Sequence, residues 1–228
     1  GEELAKQSHA EGAKVVLSAR REDELHRVAA ECTGLEETVV LPLDVTDEAA
    51  ITSAAEKILS RFGRVDVLIN NAGLTQRARI IDTAMSVYRQ VMEVNYFGPL
   101  ALTKAVLPSM LECGKGRIVC VSSVAGKYGS PMRSGYNGAK HAVHGFFDSL
   151  REETQGSGID VTLVLPGAVK TDVSINALRG DGSKYERMDA FLESGMSAAG
   201  CAARILTAVH CRQREVLIAE GIARRNVW

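Results

Sequence analysis

Apolar runs of strand length alternate along this chain with longer segments in which apolar residues recur at helical spacing. The runs lie near 13–19, 38–43, 65–69, 116–122, 159–165 and 215–218. The helical segments lie near 2–11, 22–32, 47–62, 84–112, 134–156 and 197–211. The runs are rich in Val, Ile and Leu with little polar alternation, which is typical of parallel strands covered on both faces. This order predicts βαβ crossovers and an α/β fold, a doubly wound parallel sheet in a single domain over 1–228.

Two local features refine this picture. Asp44-Val-Thr-Asp47 followed by Glu48 is a helix start, with Thr46 or Asp47 as the capping residue. The segment 172–196 is rich in Gly, Ser and charged residues and is the one long irregular stretch. Because a loop of that length is unusual within a compact domain, we expect 172–196 to be a substrate-binding loop.

Composition limits the classes of function. The chain has 228 residues, of which 46% are hydrophobic and 24% charged, and its formal net charge is −1. This charge gives no reason to expect a nucleic acid or an anionic membrane as partner. No apolar run approaches the roughly 20 residues that a membrane-spanning helix needs. We therefore expect a cytoplasmic protein, or a membrane-associated one if an anchor precedes the sequence.

The most informative chemical pattern is formed by Tyr136, Lys140 and Ser123. Tyr136 and Lys140 are four residues apart, so they share one face of the predicted helix. A fixed ammonium group next to a phenol favours the phenolate, which makes tyrosine a usable proton donor and acceptor near neutral pH. Ser123 lies 13 residues before Tyr136, at the end of a strand, where its hydroxyl can hold a substrate oxygen. The pattern indicates proton transfer at an oxygen-bearing carbon.

A Tyr-x-x-x-Lys pair is common on amphipathic helices, so its companions decide its meaning. Asn70-Asn-Ala-Gly73 follows the apolar run that ends at Ile69, and Asn95 lies in Val-Asn-Tyr-Phe-Gly. Pro166-Gly-Ala-Val-Lys-Thr171 follows a second apolar run. With these motifs in this order, the sequence resembles the short-chain dehydrogenase/reductase family over essentially its whole length. Asn95–Met110 and Asp181–Tyr185 are most similar to the branch named after dehydrogenase/reductase member 7.

The resemblance implies a seven-stranded Rossmann-type sheet and an oxidoreductase that uses a nicotinamide dinucleotide. It also implies that the first strand and part of a glycine-rich loop precede residue 1, with Gly1 as the last glycine of that loop. A glycine there lets the backbone approach a pyrophosphate at a helix N-terminus. The residues expected to hold the cofactor are Gly1, Arg20, Asp44, Val45, Asn71, Ala72, Gly73, Tyr136, Lys140, Pro166, Gly167, Val169 and Thr171.

The end of the second predicted strand bears on the choice of cofactor. Family members that use NAD carry an acid there, whereas this chain has Ala19 followed by Arg20. A guanidinium group is well shaped to hold a 2′-phosphate. A charge-assisted hydrogen bond of this kind corresponds to about a ten- to hundredfold preference for NADP(H). NAD(H) is the weaker alternative, in which Arg20 and Arg21 are solvated loop charges.

The resemblance also assigns catalytic roles. Tyr136 is expected to be the general acid/base, and Lys140 to support it and to hold the nicotinamide ribose. Ser123 is expected to position the carbonyl oxygen, and Asn95 to hold a water that links the lysine to solvent. In the alternative interpretation Asn95 only makes hydrogen bonds within its helix.

Other residues and functions remain open at this point. His141 and His144 are spaced like a metal pair, but no third ligand accompanies them and we expect no metal site. Tyr185 and Met188 either line a substrate pocket or pack within the loop. The expected function is NADPH-dependent reduction of a small, apolar or lipid-like ketone or aldehyde by a homo-dimer or homo-tetramer. The alternatives are a 3-oxoacyl carrier-protein reductase and a non-catalytic dinucleotide-sensing protein.

Overall fold

The computed structural model describes residues 1–34 and 36–219. Its strands are β1 (Val15–Leu17), β2 (Thr38–Val40), β3 (Val67–Asn70), β4 (Gly116–Val121), β5 (Ile159–Pro166) and β6 (Glu215–Ile218). Its helices are α1 (Glu2–Ala10), α2 (Glu22–Glu31), α3 (Glu48–Phe62), α4 (Met85–Met92), α5 (Gly98–Cys113), α6 (Ser134–Glu153), α7 (Ala190–Glu193) and α8 (Ala198–His210). Short 3₁₀ turns lie at Ile80–Asp82 and Val124–Gly126, and a π turn lies at Glu93–Phe97.

All strand pairings in the described part of the chain are parallel. β1 pairs with β2, and a second set runs in the order β3-β4-β5-β6. Each pairing joins strands connected through a helix, so the crossovers are of the βαβ type. The α/β, parallel and doubly wound class expected from the sequence is confirmed. The resemblance implied seven strands, and the described residues contain six, in these two hydrogen-bonded sets.

Helices cover both faces of the four-stranded set. On one face Val106 and Met110 of α5 and Val143 and Phe147 of α6 pack against Ile118 and its neighbours in β4 and β5. On the other face α8 packs against Val119 and Val164. β4 and β5 are therefore buried on both sides, which explains why their sequences are continuous apolar runs.

The start of α3 shows how a local pattern sets an element boundary. Asp47 is the N-cap, and its side chain accepts a hydrogen bond from the amide of Ala50 at 2.9 Å. Thr46, the other predicted cap, instead donates to Asp44. The helix ends before Gly63, which adopts the left-handed backbone conformation (φ 77°) that glycine accepts without steric cost.

The helix predicted over 84–112 corresponds to an unbroken helical run from Met85 to Cys113, but the sequence did not predict the π turn that separates α4 from α5. Asn95, inside this turn, donates its side-chain amide to the carbonyl of Val91 at 2.8 Å and so competes with the helical hydrogen bonds. Pro99 has no amide hydrogen to give to the carbonyl four residues earlier, which is that of Asn95. The two residues together interrupt the helical register.

Other boundaries also differ from the expectation. The strands predicted at 13–19 and 38–43 are limited to β1 and β2, with three residues each. The helix predicted over 134–156 ends at Glu153. The segment 172–196 contains α7 and is tied to the domain by backbone bridges that pair Leu178 with Gln76 and Met196 with Val169. None of the helices in the described ranges is long and apolar enough to cross a membrane.

Candidate functional site

The site forms at one edge of the sheet. Because the strands are parallel, their carboxyl ends meet at the same edge, where ligands of open α/β sheets bind. Each strand except the last is followed there by residues singled out from the sequence. These are Arg20 after β1, Asp44 and Val45 after β2, Asn71, Ala72 and Gly73 after β3, Ser123 after β4, and Pro166, Gly167, Val169 and Thr171 at the end of β5.

Tyr136 and Lys140 lie on the first two turns of α6. The ammonium nitrogen of Lys140 is 5.6 Å from the centre of the Tyr136 ring, so the structure brings the two groups together as the spacing predicted. Lys140 is only 3% exposed and donates a hydrogen bond to the carbonyl of Val121 at 2.9 Å. Tyr136 is half-buried, and its hydroxyl has no hydrogen-bond partner within 1–34 and 36–219. The phenol is therefore free to bond a ligand.

Ser123 and Ser122 point in different directions at the end of β4. Ser123 is half-buried and caps the 3₁₀ turn that follows, accepting a hydrogen bond from the amide of Ala125 at 3.1 Å. Its hydroxyl hydrogen remains available. Ser122 is buried and contacts Nε2 of His144 at 3.1 Å. Strand alternation predicts this difference, and it leaves Ser123 as the serine that faces the site.

Asn95 is fully buried and joins the π turn to the loop after β3. Its side-chain amide donates to the carbonyl of Leu74 at 2.7 Å, and its side-chain oxygen accepts from the amide of Leu74 at 3.3 Å. With the bond to Val91, the side chain makes three hydrogen bonds to backbone groups. The side chain therefore holds the loop that carries Gly73, and π turns of this kind are frequent at functional sites.

The residues expected to hold a dinucleotide form a backbone-lined edge. A Cβ atom on Gly1 would lie 3.1 Å from the side chain of Asn71, so the start of α1 lies against the loop after β3. A Cβ on Gly98 would lie 2.8 Å from the carbonyl of Val45, which packs the start of α5 closely against the loop after β2. Asn71, Ala72, Gly73 and Thr171 are exposed at this edge. These four residues are therefore open to a ligand at the edge where the starts of α1 and α5 lie against the loops after β3 and β2.

Arg20 and Asp44 lie close enough to interact electrostatically. The backbone amide of Thr46, then its hydroxyl, and then Arg20 lower the pKa of Asp44, with partial burial opposing them. Arg20 itself is exposed. The guanidinium group is therefore at the outer end of the edge, next to a carboxylate that stays ionised.

Sequence reasoning did not identify Gln76, which is fully buried beneath α6. Its side-chain oxygen accepts a hydrogen bond from the amide of Tyr136 at 2.9 Å, and its side-chain nitrogen donates to Ser134 at 3.3 Å. The Ser134 hydroxyl also lies 2.9 Å from that of Tyr88. No local pattern marks Gln76, because its partners are about 60 residues away in the sequence.

Sequence reasoning also missed a cluster of charged residues that anchors the 172–196 loop. Asp189 caps α7 and accepts hydrogen bonds from the guanidinium groups of Arg77 and Arg133, the latter at 3.1 Å. Burial lowers the pKa of Arg133. Arg77 lies just after Gln76, and Arg133 precedes the first residue of α6. The cluster therefore links the 172–196 loop to the loop after β3 and to the start of α6.

The structure places the other residues that the sequence singled out as follows. Tyr185 lines a cavity of about 430 Å³, whereas Met188 accepts a hydrogen bond from the buried Ser174 within the loop. His141 contacts the carbonyl of Asn137, four residues earlier in α6. Burial, and then the charge of Lys127, lower the pKa of His144. In the part of the chain that the structure describes, no three acidic, His or Cys side chains are grouped to hold a metal ion.

Comparison with known proteins gives consistent matches. The sequence profile described as short chain dehydrogenase matches residues 1–181. The dehydrogenase/reductase SDR family member 7B of Mus musculus is 44% identical over 233 residues, covering 100% of this chain and 72% of the mouse protein. The dehydrogenase/reductase SDR family protein 7-like of Drosophila melanogaster is 41% identical over 225 residues, covering 96% and 69%.

Solved structures agree with these matches. The crystal structure of a short-chain dehydrogenase from Streptomyces avermitilis superposes with a TM-score of 0.86 at 30% identity, covering 100% of this chain and 87% of that one. A metagenomic short-chain oxidoreductase in complex with NADP gives a TM-score of 0.78 at 26% identity, covering 97% and 92%.

Proposed function

We propose, because this chain belongs to the short-chain dehydrogenase/reductase family and to its member 7 branch, that it is an NADPH-dependent carbonyl reductase. Its substrate would be an apolar ketone or aldehyde, and the reverse reaction would oxidise the alcohol. The family is one of oxidoreductases, and the cofactor and substrate are our proposal. The observation that carries it is the unpartnered hydroxyl of Tyr136 beside the buried ammonium group of Lys140.

Tyr136 would act as the general acid in the reductive direction. Its hydroxyl donates a proton to the carbonyl oxygen as negative charge develops there, and it takes the proton back in the reverse reaction. Ser123 donates its free hydroxyl hydrogen to the same oxygen and so holds the carbonyl in place. The bond that Ser123 accepts from Ala125 supports this role, because it orients the oxygen and leaves the hydrogen for the substrate.

Lys140 and Asn95 would supply the electrostatic support and the path for the proton. The ammonium group uses one hydrogen bond on Val121, which leaves two donors for the ribose of the cofactor and for a water molecule. Because Pro99 has no amide hydrogen to give to it, the carbonyl of Asn95 would hold that water. This water would pass a proton from solvent to Tyr136 after each turnover.

The cofactor would lie along the edge formed by Gly1, Asn71, Gly73 and Thr171. When bound, the nicotinamide ring supplies the hydride, and the protein orients it. The close approach of Gly1 to the Asn71 side chain places the start of α1 beside the loop after β3, so both could contact one cofactor. A similar oxidoreductase was solved with NADP, and the exposed Arg20 supports the choice of NADPH. The 172–196 loop would cover the substrate.

The proposal is tested by following oxidation of NADPH and of NADH with a panel of carbonyl compounds. The panel contains apolar ketones, apolar aldehydes and a 3-oxoacyl thioester. We expect NADPH-dependent reduction of an apolar carbonyl, and we expect Tyr136→Phe to lower kcat by about 10²- to 10⁴-fold because the general acid is removed.

Tyr96→Phe is the matched control. Tyr96 packs edge-on against Phe97 and Phe146, and its hydroxyl bonds no group in the described ranges, so we expect kcat to stay unchanged. A Tyr136→Phe variant that keeps most of its activity contradicts the proton-transfer role. Selective reduction of the thioester would favour a 3-oxoacyl carrier-protein reductase, and tight NADPH binding without turnover of any compound would favour a sensor.

A further inference from the structure

Arginine side chains surround the cavity of about 430 Å³ that lies beside the Tyr136 helix. Four of them line it, from the loop after β3 and from the 172–196 loop: Arg77, Arg79, Arg179 and Arg187. Met132 and Tyr185 complete much of its wall. Since two separate segments contribute arginines to one concave surface, the charge is gathered by the fold and not by a local run of basic residues.

The arginines in and beside the cavity outnumber the acidic side chains that pair with them. Asp189 is shared by Arg77 and by Arg133 behind it, and Asp82 pairs with Arg79 at 2.6 Å. Arg179 makes one long hydrogen bond, at 3.5 Å, to the carbonyl of Tyr185.

In the described part of the chain, the acidic side chains of the 172–196 loop other than Asp189 form no ion pair with the cavity arginines. Arg187 has no hydrogen bond or ion pair within the described ranges. The loop has four other acids, and none of them forms an ion pair with a cavity arginine there: Asp172, Asp181, Glu186 and Glu193. The Asp181 carboxylate accepts hydrogen bonds from Ser183 instead. Arg187 therefore has no acidic partner among the described residues. The Asp181 carboxylate is near enough to Arg179 to feel its charge, but the two form no ion pair.

Arg77 is a mostly buried arginine of this cavity whose hydrogen-bond donors are not all used. Its side chain is 13% exposed, and its Nε atom is buried without a hydrogen-bond partner. Burial, and then the neighbouring charge of Arg133, lower the pKa of Arg77 to about 10. A buried cationic group with an unused donor is costly unless an anion or another acceptor joins it.

The cavity is placed to receive one end of a substrate. Two of its lining residues are joined by a hydrogen bond just before α6 begins: the amide of Ala78 donates to the carbonyl of Met132 at 3.1 Å. Arg77 directly follows Gln76, which holds the amide of Tyr136. The cavity is therefore lined by the immediate neighbour of the residue that holds Tyr136, and by Met132, four residues before it. Ile80 and Ile81, between the cavity residues Arg79 and Asp82, are 72% and 84% exposed and offer an apolar surface next to it.

We infer that this cavity binds an anionic group of the carbonyl substrate, either a carboxylate or a phosphate, while the carbonyl lies at Tyr136. The inference rests on the proposed reductase function and names its substrate class as a carbonyl compound with an apolar part and an anionic end. Guanidinium groups bind both anions through paired hydrogen bonds, which gives geometric specificity as well as affinity.

The test compares matched substrates on the full chain. An oxo fatty acid is compared with its methyl ester, and an oxo-alkyl phosphate with its uncharged oxo-alcohol. We expect the anionic member of one pair to have kcat/KM at least about tenfold higher. The double variant Arg179→Gln/Arg187→Gln should remove most of that advantage, measured as the ratio of kcat/KM for the anionic and the neutral member of the pair. Arg64→Gln is the control, because Arg64 is exposed and pairs with Asp66 at the opposite edge of the sheet.

A binding experiment separates this inference from the proposed activity. Octanoate and octyl phosphate, which have no carbonyl to reduce, are titrated into the same three proteins by calorimetry. Binding that weakens about tenfold or more in the double variant, but not in Arg64→Gln, supports the anion site even if no carbonyl is reduced. The anion that binds more tightly identifies the group. Equal binding by all three proteins, or reduction of neutral and anionic partners at equal kcat/KM, overturns the inference and leaves the reductase function standing.

Discussion

Replacement of Gln76 by methionine should separate the positioning of Tyr136, the proposed general acid, from the stability of the fold. The two side chains have similar volume, so Gln76→Met removes hydrogen bonds and leaves little cavity. The amide of Tyr136 lies in the first turn of α6, where no intrahelical partner exists, and Gln76 is its acceptor at 2.9 Å. Methionine offers that buried amide only a weak sulfur acceptor, and Ser134 loses its bond to the glutamine nitrogen.

The magnitude follows from this loss. A buried donor left without a partner costs about 1–3 kcal/mol. In a chain of this length each kcal/mol lowers Tm by about 2–4 °C, so a fall of about 2–12 °C is expected in thermal unfolding. A shift of the helix start moves the Tyr136 hydroxyl, and a displacement of about 1 Å can cost about a hundredfold in rate. We expect kcat to fall by about 10- to 100-fold, and KM for NADPH to change much less.

The control is Thr162→Val. Thr162 is 3% exposed and donates to the carbonyl of Gln213 at 2.7 Å, near the amino-terminal end of β5 and far from the reactive edge. The Thr162→Val variant should lower Tm to a degree similar to that of Gln76→Met and leave kcat unchanged. Gln76→Glu keeps an acceptor facing the amide of Tyr136 and should restore part of kcat. If Gln76→Met loses stability as Thr162→Val does but keeps its kcat, the positioning role is refuted.

Three further predictions follow from charged groups. Arg20→Gln should reduce the preference for NADPH over NADH by about ten- to a hundredfold, measured as the ratio of kcat/KM values. Burial keeps the pKa of His144 below its ordinary value, so the unfolded chain binds a proton before the folded chain does. The free energy of unfolding should therefore fall as pH drops below about 6.5, and His144→Gln should flatten this fall in urea titrations. Asp189→Asn keeps the cap of α7 but removes the charge shared by Arg77 and Arg133, so trypsin should cleave the 172–196 loop faster.

Each of these has an outcome that contradicts it. An unchanged cofactor ratio in Arg20→Gln would make Arg20 a solvated loop charge. Equal pH dependence in His144→Gln and the unsubstituted protein would assign the acid sensitivity to other groups. A loop in Asp189→Asn that resists trypsin as well as the unsubstituted loop would show that its backbone bridges, and not the ion pairs, hold it in place.

Much of the fold was predictable because its determinants are local. Apolar runs without alternation indicated β4 and β5 as buried parallel strands, and Asp47 indicated the start of α3. The spacing of Tyr136 and Lys140 placed both on one face of a helix, and the order of the strands brought their carboxyl ends to one edge. The seventh strand implied by the resemblance is not among the described residues, and the proposed roles of the site residues await the experiments above.

The π turn between α4 and α5 shows where local patterns fail. The sequence over 84–112 has helical periodicity throughout, and it carries no strong helix-breaking signal before Gly98-Pro99. The π turn depends on Asn95 reaching Leu74, a residue 21 positions earlier in a different element. Periodicity describes which face of a helix is apolar, but it does not report a hydrogen bond that one side chain makes to a distant loop.

The sequence by itself determined the types and order of the elements, the edge of the sheet at which the site forms, and the pairing of a phenol with an ammonium group. These depend on contacts within a few residues or on rules of strand connection. The tertiary structure alone decided that Gln76 supports Tyr136 and that Asp189 joins Arg77, 112 positions away, to the start of α6. It also decided that arginines from two segments line one cavity. Such contacts join residues that only the folded chain brings together, so no spacing in the sequence encodes them.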